Sequence, residues 1–207
     1  MINAIITHNY IYNKNKKTFQ NELTTDIIEY FNKLNIFLIP LSNNLISRKK
    51  IGNIFNKFDI RLVILSGGND IPKNGKKIIR DIIELRLIES AIKKNIKILG
   101  ICRGMQIINY YFDGKTTKLT NHVNFRHKIF PNPEFKKYLP TIVNSFHNFG
   151  ITENNLSKKM KIIASDKNKN VEAFVDNDFN ILALMWHPER ERKLQRDFYL
   201  IKKFLNA

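Results

Sequence analysis

The chain has a single cysteine among 207 residues, so it can form no disulfide within itself, and an exposed reactive thiol would belong in a reducing compartment. It lacks any apolar run long enough to cross a bilayer. The opening Ile2-Asn3-Ala4-Ile5-Ile6-Thr7-His8 turns polar too soon for a secretion signal. Together these absences predict a cytoplasmic protein with no membrane partner. No repeat or low-complexity linker interrupts the chain, and residues 1–207 are expected to form one domain. Histidines are few and none falls in a chelating pattern such as H-E-x-x-H, which gives the expectation of no metal and no cofactor.

Acidic residues are also scarce, with 18 Asp and Glu against 35 Lys and Arg, for a net charge of +17. That excess invites a nucleic-acid partner. The clusters at residues 14–17, 48–50 and 76–77 lack interleaved aromatic platforms, however, so a solvated surface is the simpler reading and no specific nucleic acid is expected. A basic surface would still attract a phosphorylated small molecule.

What the chain does have is an alternation of strand-like and helix-like segments. Strand candidates are residues 4–6, 36–39, 62–65 and 96–101. Between them, Phe19, Leu23, Ile27, Phe31 and Leu34 fit one helical face, and Ile78, Ile82, Leu85, Ile88 and Ile92 fit another. Residues 70–76, with Pro72 and Gly75, suggest a loop. This order predicts an α/β fold with a mostly parallel central sheet. After Gly114 come shorter extended pieces at 128–130, 141–144, 162–164, 171–174 and 181–185, expected to include antiparallel strands at the sheet margin. An amphipathic helix through Leu194, Phe198, Ile201 and Leu205 ends the sequence.

The cysteine stands in Gly100-Ile101-Cys102-Arg103-Gly104, directly after an apolar run. G-x-nucleophile-x-G is the pattern of a strand that turns sharply into a helix, where flanking side chains would collide with their surroundings. The helix start sets free N–H groups and positive partial charge beside the sulfur, which favours a thiolate. A lone cysteine is more often a small buried hydrophobe, so a base must be found. Ala183-Leu184-Met185-Trp186-His187-Pro188-Glu189 offers one, since the strand ends at His187, Pro188 stops it, and Glu189 can return to orient the imidazole. Trp186 is expected to pack beside it. In open parallel sheets, sites gather at the carboxyl ends of strands, where Cys102, His187 and Ser66-Gly67-Gly68-Asn69-Asp70 all fall.

The set SGGND, GICRGMQ, NSFH (144–147), VEAF (171–174) and MWHPER spans nearly the whole chain and resembles the class I glutamine amidotransferase-like superfamily, in its γ-glutamyl hydrolase branch, peptidase family C26. The resemblance implies a three-layer α/β/α, flavodoxin-like fold and a triad of Cys102 as nucleophile, His187 as acid and base, and Glu189 as its orienter. It implies an oxyanion hole from the backbone N–H groups of Gly68 and Arg103, and a glutamyl contact at Gln106. Ser145, Phe146 and His147 are further substrate-binding candidates, although His147 suits a structural hydrogen bond equally well. The implied reaction is hydrolysis of a γ-glutamyl amide through a glutamyl thioester, on a small-molecule substrate whose leaving group is nucleotide-linked. Lys73, Lys76, Arg103, Arg190 and Arg192 are phosphate candidates by position.

Arg103 replaces a leucine common in relatives, and its side chain could meet a phosphate or a neighbouring carboxylate. His122 and His127 are expected to face solvent, and Glu172 to sit either in the pocket or on an exposed strand face. The role of His8 stays open. Two other activities compete: a glutaminase subunit serving a synthase or a γ-glutamyl peptide hydrolase, and, from another class, a nucleic-acid-binding protein on a non-catalytic scaffold.

Overall fold

A computed structural model describes residues 1–44, 48–69, 71, 77–120 and 122–206. The first part holds β1 (Ile2–Thr7), β2 (Asn9–Asn13), β3 (Thr18–Glu22), α1 (Thr25–Lys33), β4 (Ile36–Leu41), α2 (Arg48–Lys57) and β5 (Ile60–Leu65). Next come α3 (Ile79–Lys93), β6 (Lys97–Ile101) and α4 (Arg103–Tyr111). The remainder holds β7 (Thr117–Lys118), β8 (Val123–Lys128), β9 (Phe130–Pro131), β10 (Ile142–Phe146), β11 (Phe149–Thr152), β12 (Met160–Ser165), β13 (Asn170–Asp176), β14 (Ile181–Leu184) and α5 (Asp197–Asn206).

The main sheet runs β4-β1-β5-β6-β14-β13-β11-β7, with β12 on β13 and β9 on β12. Its first five strands are parallel, while β13, β11 and β7 continue it antiparallel, as expected for the margin. Strands such as β5 and β14 are nearly continuous apolar runs because both faces of the sheet are covered. On one face α1 and α5 contribute Ile27, Phe31, Ile201 and Phe204 to the core. On the other, α2, α3 and α4 contribute Phe55, Leu87 and Ile108. The result is the three-layer α/β/α arrangement that the motifs implied. Two small antiparallel pairs, β2–β3 and β8–β10, complete the described strands.

Several expectations need correction. Phe19 lies on β3 and stacks on Tyr10 with ring centroids 4.6 Å apart, so the helical face begins only at Thr25. In α3 the inward face carries Arg80, Asp81, Ile83, Glu84, Leu87, Ile88 and Ala91, while Ile92 is 43% exposed. Buried charge turns that face away from the apolar spacing, because Arg80 and Glu84 are bonded partners inside the protein. The segment 128–130 is split between β8 and β9, and Leu194 is exposed ahead of α5. Of the suggested loop, Asp70 and residues 72–76, with Lys73 and Lys76, lie outside the described residues.

The glycines around Cys102 have separate steric reasons. A Cβ on Gly104 would overlap the Leu65 carbonyl oxygen of β5, and one on Gly100 would sit 2.6 Å from Ile108 Cδ1. Gly52, on α2, has nothing within 4 Å. Gly104→Ala is therefore expected to cost about 1–3 kcal/mol, as overpacking does, and to lower Tm by about 3–10 °C. Gly52→Ala should raise Tm slightly, because alanine is the better helix former. Thermal denaturation of the two variants beside the parent checks the pair.

Candidate active site

β6 ends at Cys102, whose φ of 52° and ψ of −104° place it in a strained turn from strand to helix. Its N–H donates to the Leu184 carbonyl at 2.7 Å, so the nucleophile candidate is hydrogen-bonded to the end of β14. Three residues past that carbonyl stands His187, and Pro188–Arg190 then form a short 3-10 turn. The turn brings Glu189 Oε1 to 2.6 Å from His187 Nδ1. Cys102 is the largest upward influence on the His187 ring, and with Nδ1 held by Glu189 it is Nε2 that is left to face the sulfur. Cys102, His187 and Glu189 are thus gathered at one edge of the sheet. The thiol is 4% exposed, less open than expected, because α4, β14 and the imidazole close around it. On the His187 side a narrow cleft of about 60 Å³ is lined by Asn9, Ser66, Gly67, Gly68, His187, Glu189 and Arg190, among others, but not by Cys102.

Burial acts to lower the pKa of His187, but the Cys102 charge and hydrogen bond, followed by Glu189, overcome it and raise the value to about 9. The ring is therefore favoured in its protonated form at neutral pH. The folded pKa exceeds the 6.5 of a free imidazole, so the stabilisation is complete below pH 6.5 and is lost as pH rises through about 9.

The glycine-rich turn after β5 packs against this pair. A Cβ on Gly67 would overlap His187 Cε1, and Gly68 has φ of 137° with Asn9 and Arg80 crowding the position of its missing side chain. Arg80 Nη2 donates to the carbonyls of Ser66 at 2.7 Å and Gly67 at 3.0 Å. Gly67 C=O and Gly68 N–H share one trans peptide, so a carbonyl held toward Arg80 turns that N–H the opposite way. Arg80 is itself held by Glu84 at 2.8 Å, and Glu84 also accepts from Thr7 Oγ1 at 2.9 Å.

Arg103 belongs to the same buried cluster. Its guanidinium pairs with Asp81 and Glu84 and is 1% exposed, which decides between the two readings of that side chain and removes it as a phosphate ligand. Its backbone N–H opens α4, where an amide has no partner one turn back.

The remaining sequence candidates divide. Gln106 is buried on α4 and its amide donates to the Phe149 carbonyl at 2.8 Å. Ser145 is fully buried and donates to the His122 carbonyl. His147 is buried with Nδ1 3.0 Å from the Phe149 carbonyl, and burial, reinforced by nearby histidines, pushes its pKa down to about 3. Phe146 is 38% exposed, and its ring meets the His187 ring edge-on at 5.8 Å and lies under Arg190 at 4.7 Å. Arg190 and Arg192 border an adjoining cleft of about 290 Å³ that also contains Asp26, Glu29 and Glu191. His8 is tied through Nδ1 to the Leu41 carbonyl at 2.9 Å.

His122 and His127 do not face solvent. They pack ring to ring at 5.2 Å, with His122 buried and His127 half-buried, because β8 folds back on β10 against the main sheet. Glu172, left open between two readings, is 1% exposed, and burial raises its pKa well above the usual carboxylate range. Trp186 packs beside the site as expected and donates to Asp197 at 2.7 Å. Sequence reasoning missed Asn144, which clamps the His187 peptide. Its Nδ2 donates to His187 O at 2.8 Å and its Oδ1 accepts from His187 N at 2.9 Å. The asparagine opens the NSFH motif, but nothing in its residue type marked this pairing.

The family described as glutamine amidotransferase class-I matches residues 15–207. A Campylobacter jejuni protein named gamma-glutamyl-CDP-amidate hydrolase is 35% identical over 195 residues, covering 91% of this chain and 90% of that one. The carbamoyl phosphate synthase small chain of Aquifex aeolicus is 26% identical over 95% of this chain and 50% of its own. Among solved structures, a glutamine amidotransferase from Thermotoga maritima superposes with a TM-score of 0.67 at 18% identity, covering 99% of this chain and 84% of that one, a likeness of fold.

The charge balance is directly measurable. NMR titration of His187 should give a midpoint near pH 9. In Cys102→Ala the midpoint should fall by more than in Glu189→Gln, since the sulfur is the larger upward contribution. An unchanged midpoint in Cys102→Ala would exclude the pair.

Proposed function

Because the chain belongs to the class-I glutamine amidotransferase family, we propose that it is a cysteine-dependent hydrolase of γ-glutamyl amides, with γ-glutamyl-CDP-amidate as substrate. Residues 1–207 act as one catalytic domain in this reading. The observation that carries it is that Cys102, bonded through its N–H to the end of β14, and His187, whose Nδ1 is held by Glu189 at 2.6 Å, meet at one edge of the sheet. The likeness over 91% of the chain to a relative bearing that name supports the substrate.

In the proposed reaction Cys102 Sγ attacks the γ-carbonyl carbon and a C–S bond forms. The negative charge gathers on the carbonyl oxygen, where the N–H groups of Gly68 and Arg103 donate to it; removing one such donor in other enzymes costs roughly 10²–10³ in kcat. His187 gives its proton to the departing nitrogen, which leaves as cytidine diphosphoramidate. The neutral imidazole then takes a proton from water as it attacks the thioester, and glutamate is released. Glu189 keeps Nδ1 protonated throughout, so Nε2 serves the chemistry. Gln106, Ser145 and His147 shape the glutamyl side, the first through the Phe149 carbonyl and the others as buried wall. Phe146 and Arg190 stand at the rim, where an aromatic face and a guanidinium suit a nucleotide. The product is a nucleotide-activated phosphoramidate, suited to phosphoramidate modification of a capsular polysaccharide.

One observation favours a second reading. The Aquifex aeolicus small chain matches 95% of this chain yet only half of its own length, which fits a glutaminase unit that works within a larger assembly.

A panel of γ-glutamyl-CDP-amidate, γ-glutamyl peptides and glutamine, assayed by glutamate release, separates these readings. The isolated chain should turn over the CDP-amidate and leave glutamine nearly untouched. Cys102→Ala should lower kcat by on the order of 10⁴-fold or more. The kcat/KM profile should fall on its alkaline side near pH 9, as His187 loses the proton it must donate. Preference for free glutamine, raised by an added synthase, would overturn the proposal in favour of the second reading.

A further inference from the structure

His122, His127, Asp166 and Glu172 come from separate segments, yet their ligand-type atoms all lie within 4.8 Å of one another. His127 is on β8 and Glu172 on β13, while His122 precedes β8 and Asp166 comes just after β12. The hydrogen inventory of this cluster does not close. His122 Nδ1 is 2.7 Å from the Thr120 carbonyl, which only accepts, so that nitrogen carries the hydrogen. In the neutral ring, Nε2 then presents a lone pair 3.3 Å from Asp166 Oδ2, a second acceptor. Asp166 already accepts from the Asn168 and Asn170 backbone amides and from the Asn170 side chain. His127 Nε2 and both oxygens of Glu172 are buried with no hydrogen-bond partner, although the two residues approach to 3.6 Å. Lone pairs from four side chains thus converge on one small space, where only added protons or a cation can pair them. Leaving such groups unpaired is costly, and a cation answers all of them at once.

We propose that His122, His127, Asp166 and Glu172 form a binding site for one divalent transition-metal ion, with zinc the best match. Two imidazoles with two carboxylates are a borderline donor set, which suits zinc and disfavours calcium and magnesium. Two ionised carboxylates neutralise a 2+ charge, so the filled site carries no net charge in its buried surroundings. A zinc tetrahedron with bonds of about 2.0–2.1 Å has ligand-to-ligand edges of about 3.3–3.4 Å. The His122–Asp166 pair at 3.3 Å is at that spacing, the His127–Glu172 pair at 3.6 Å is slightly wider, and the four atoms, all within 4.8 Å of one another, need to close inward to reach it. The Thr120 carbonyl on His122, and Asn170 on Asp166, are the outer partners that fix metal ligands in orientation. The ion ties β8 to β13 and to the turn between β12 and β13. The ligands are scattered, His122 and Asp166 being 44 positions apart, so no linear spacing announces them.

The test uses the full chain carrying Cys102→Ala, which removes the thiolate as a competing ligand, stripped with a chelator and then titrated with Zn²⁺ or Co²⁺. A single equivalent should bind, Co²⁺ should give the visible bands of a four-coordinate site, and Zn²⁺ at a hundredfold excess over Kd should raise Tm by about 5–10 °C. Adding Glu172→Gln should weaken Zn²⁺ binding at least about 10–100-fold with unchanged far-UV circular dichroism. His127→Asn, which keeps the volume of a small polar side chain, provides the second variant should the first fail to fold, and should weaken binding to a similar degree. No uptake by the stripped chain, or uptake unaffected by both substitutions, overturns the site and leaves the cluster filled by protons or by a substrate ammonium.

Discussion

The parallel pairing of β6 with β14 is the constraint on which the site depends. The register runs from Ile181 opposite Ile98 to Leu184 opposite Ile101, and the Cys102 N–H extends it by one more bond to Leu184 O. Both strands point the same way, so the residues just past their carboxyl ends arrive at one edge of the sheet. Beyond the last pair they separate, β6 turning through a positive φ into α4 and β14 running on to His187. β5 lies on the other side of β6 and brings the Ser66–Gly68 turn to the same edge. A slip of one residue would move the thiol about 3.3 Å along the strand and turn its side chain to the opposite face. Neighbouring strands thus carry the thiol, the imidazole and the glycine-rich turn, and the pairing of strands does most of the assembly.

Hydrogen bonds to backbone then fix what the strands only bring near. Asn144 holds the His187 peptide from both sides, and Arg80 holds the two carbonyls of the glycine turn. The cost of burying Arg80, Asp81, Glu84 and Arg103 is high, since each ion gives up water. It is offset because every charge in the group faces an opposite one, and because Arg80 also donates to the carbonyls of Ser66 and Gly67. Burial still pulls the Arg80 pKa down to about 10, yet it remains a cation at neutral pH. One polar core therefore grips both the start of α4, through the Arg103 side chain, and the turn after β5, through Arg80. The amides of Gly68 and Arg103, proposed above as oxyanion donors, are thereby held by one polar core, the kind of preorganisation that electrostatic catalysis requires.

These interactions explain which features can be read from the sequence. The parallel strands are legible because burial on both faces leaves uninterrupted apolar runs, and the elbow because crowding at Gly100 and Gly104 leaves no room for a side chain. The His187 turn is legible because Pro188 ends a strand and places a carboxylate two residues on. The inward face of α3 is not, since burying ion pairs reverses the usual meaning of a charged residue in a helical pattern. Phe19 fits a helical face only because four-residue spacing continues by chance from β3 across the junction into α1. Asn144 and the cluster of His122, His127, Asp166 and Glu172 depend on residues far apart in the chain, and only the folded sheet brings their polar atoms together.

Where the charges lie sharpens the meaning of the basic composition. Among the described residues, six acidic side chains are buried, Asp81, Glu84, Asp166, Glu172, Glu189 and Asp197, against two Lys or Arg side chains, Arg80 and Arg103, and the protonated ring of His187. The chain has 18 acidic and 35 basic residues in all, so folding withdraws far more of its negative charge from the surface than of its positive charge. The exterior is consequently more cationic than the formal +17 states. A field of one sign raises the encounter rate of any anion, and it does so without shaping a groove. Specificity must come from short-range geometry at the strand ends, where Phe146 and Arg190 stand beside His187. In the proposed reading a strongly basic protein serves a small anionic substrate in this way, the long-range field collecting anions and the narrow cleft at His187 choosing among them.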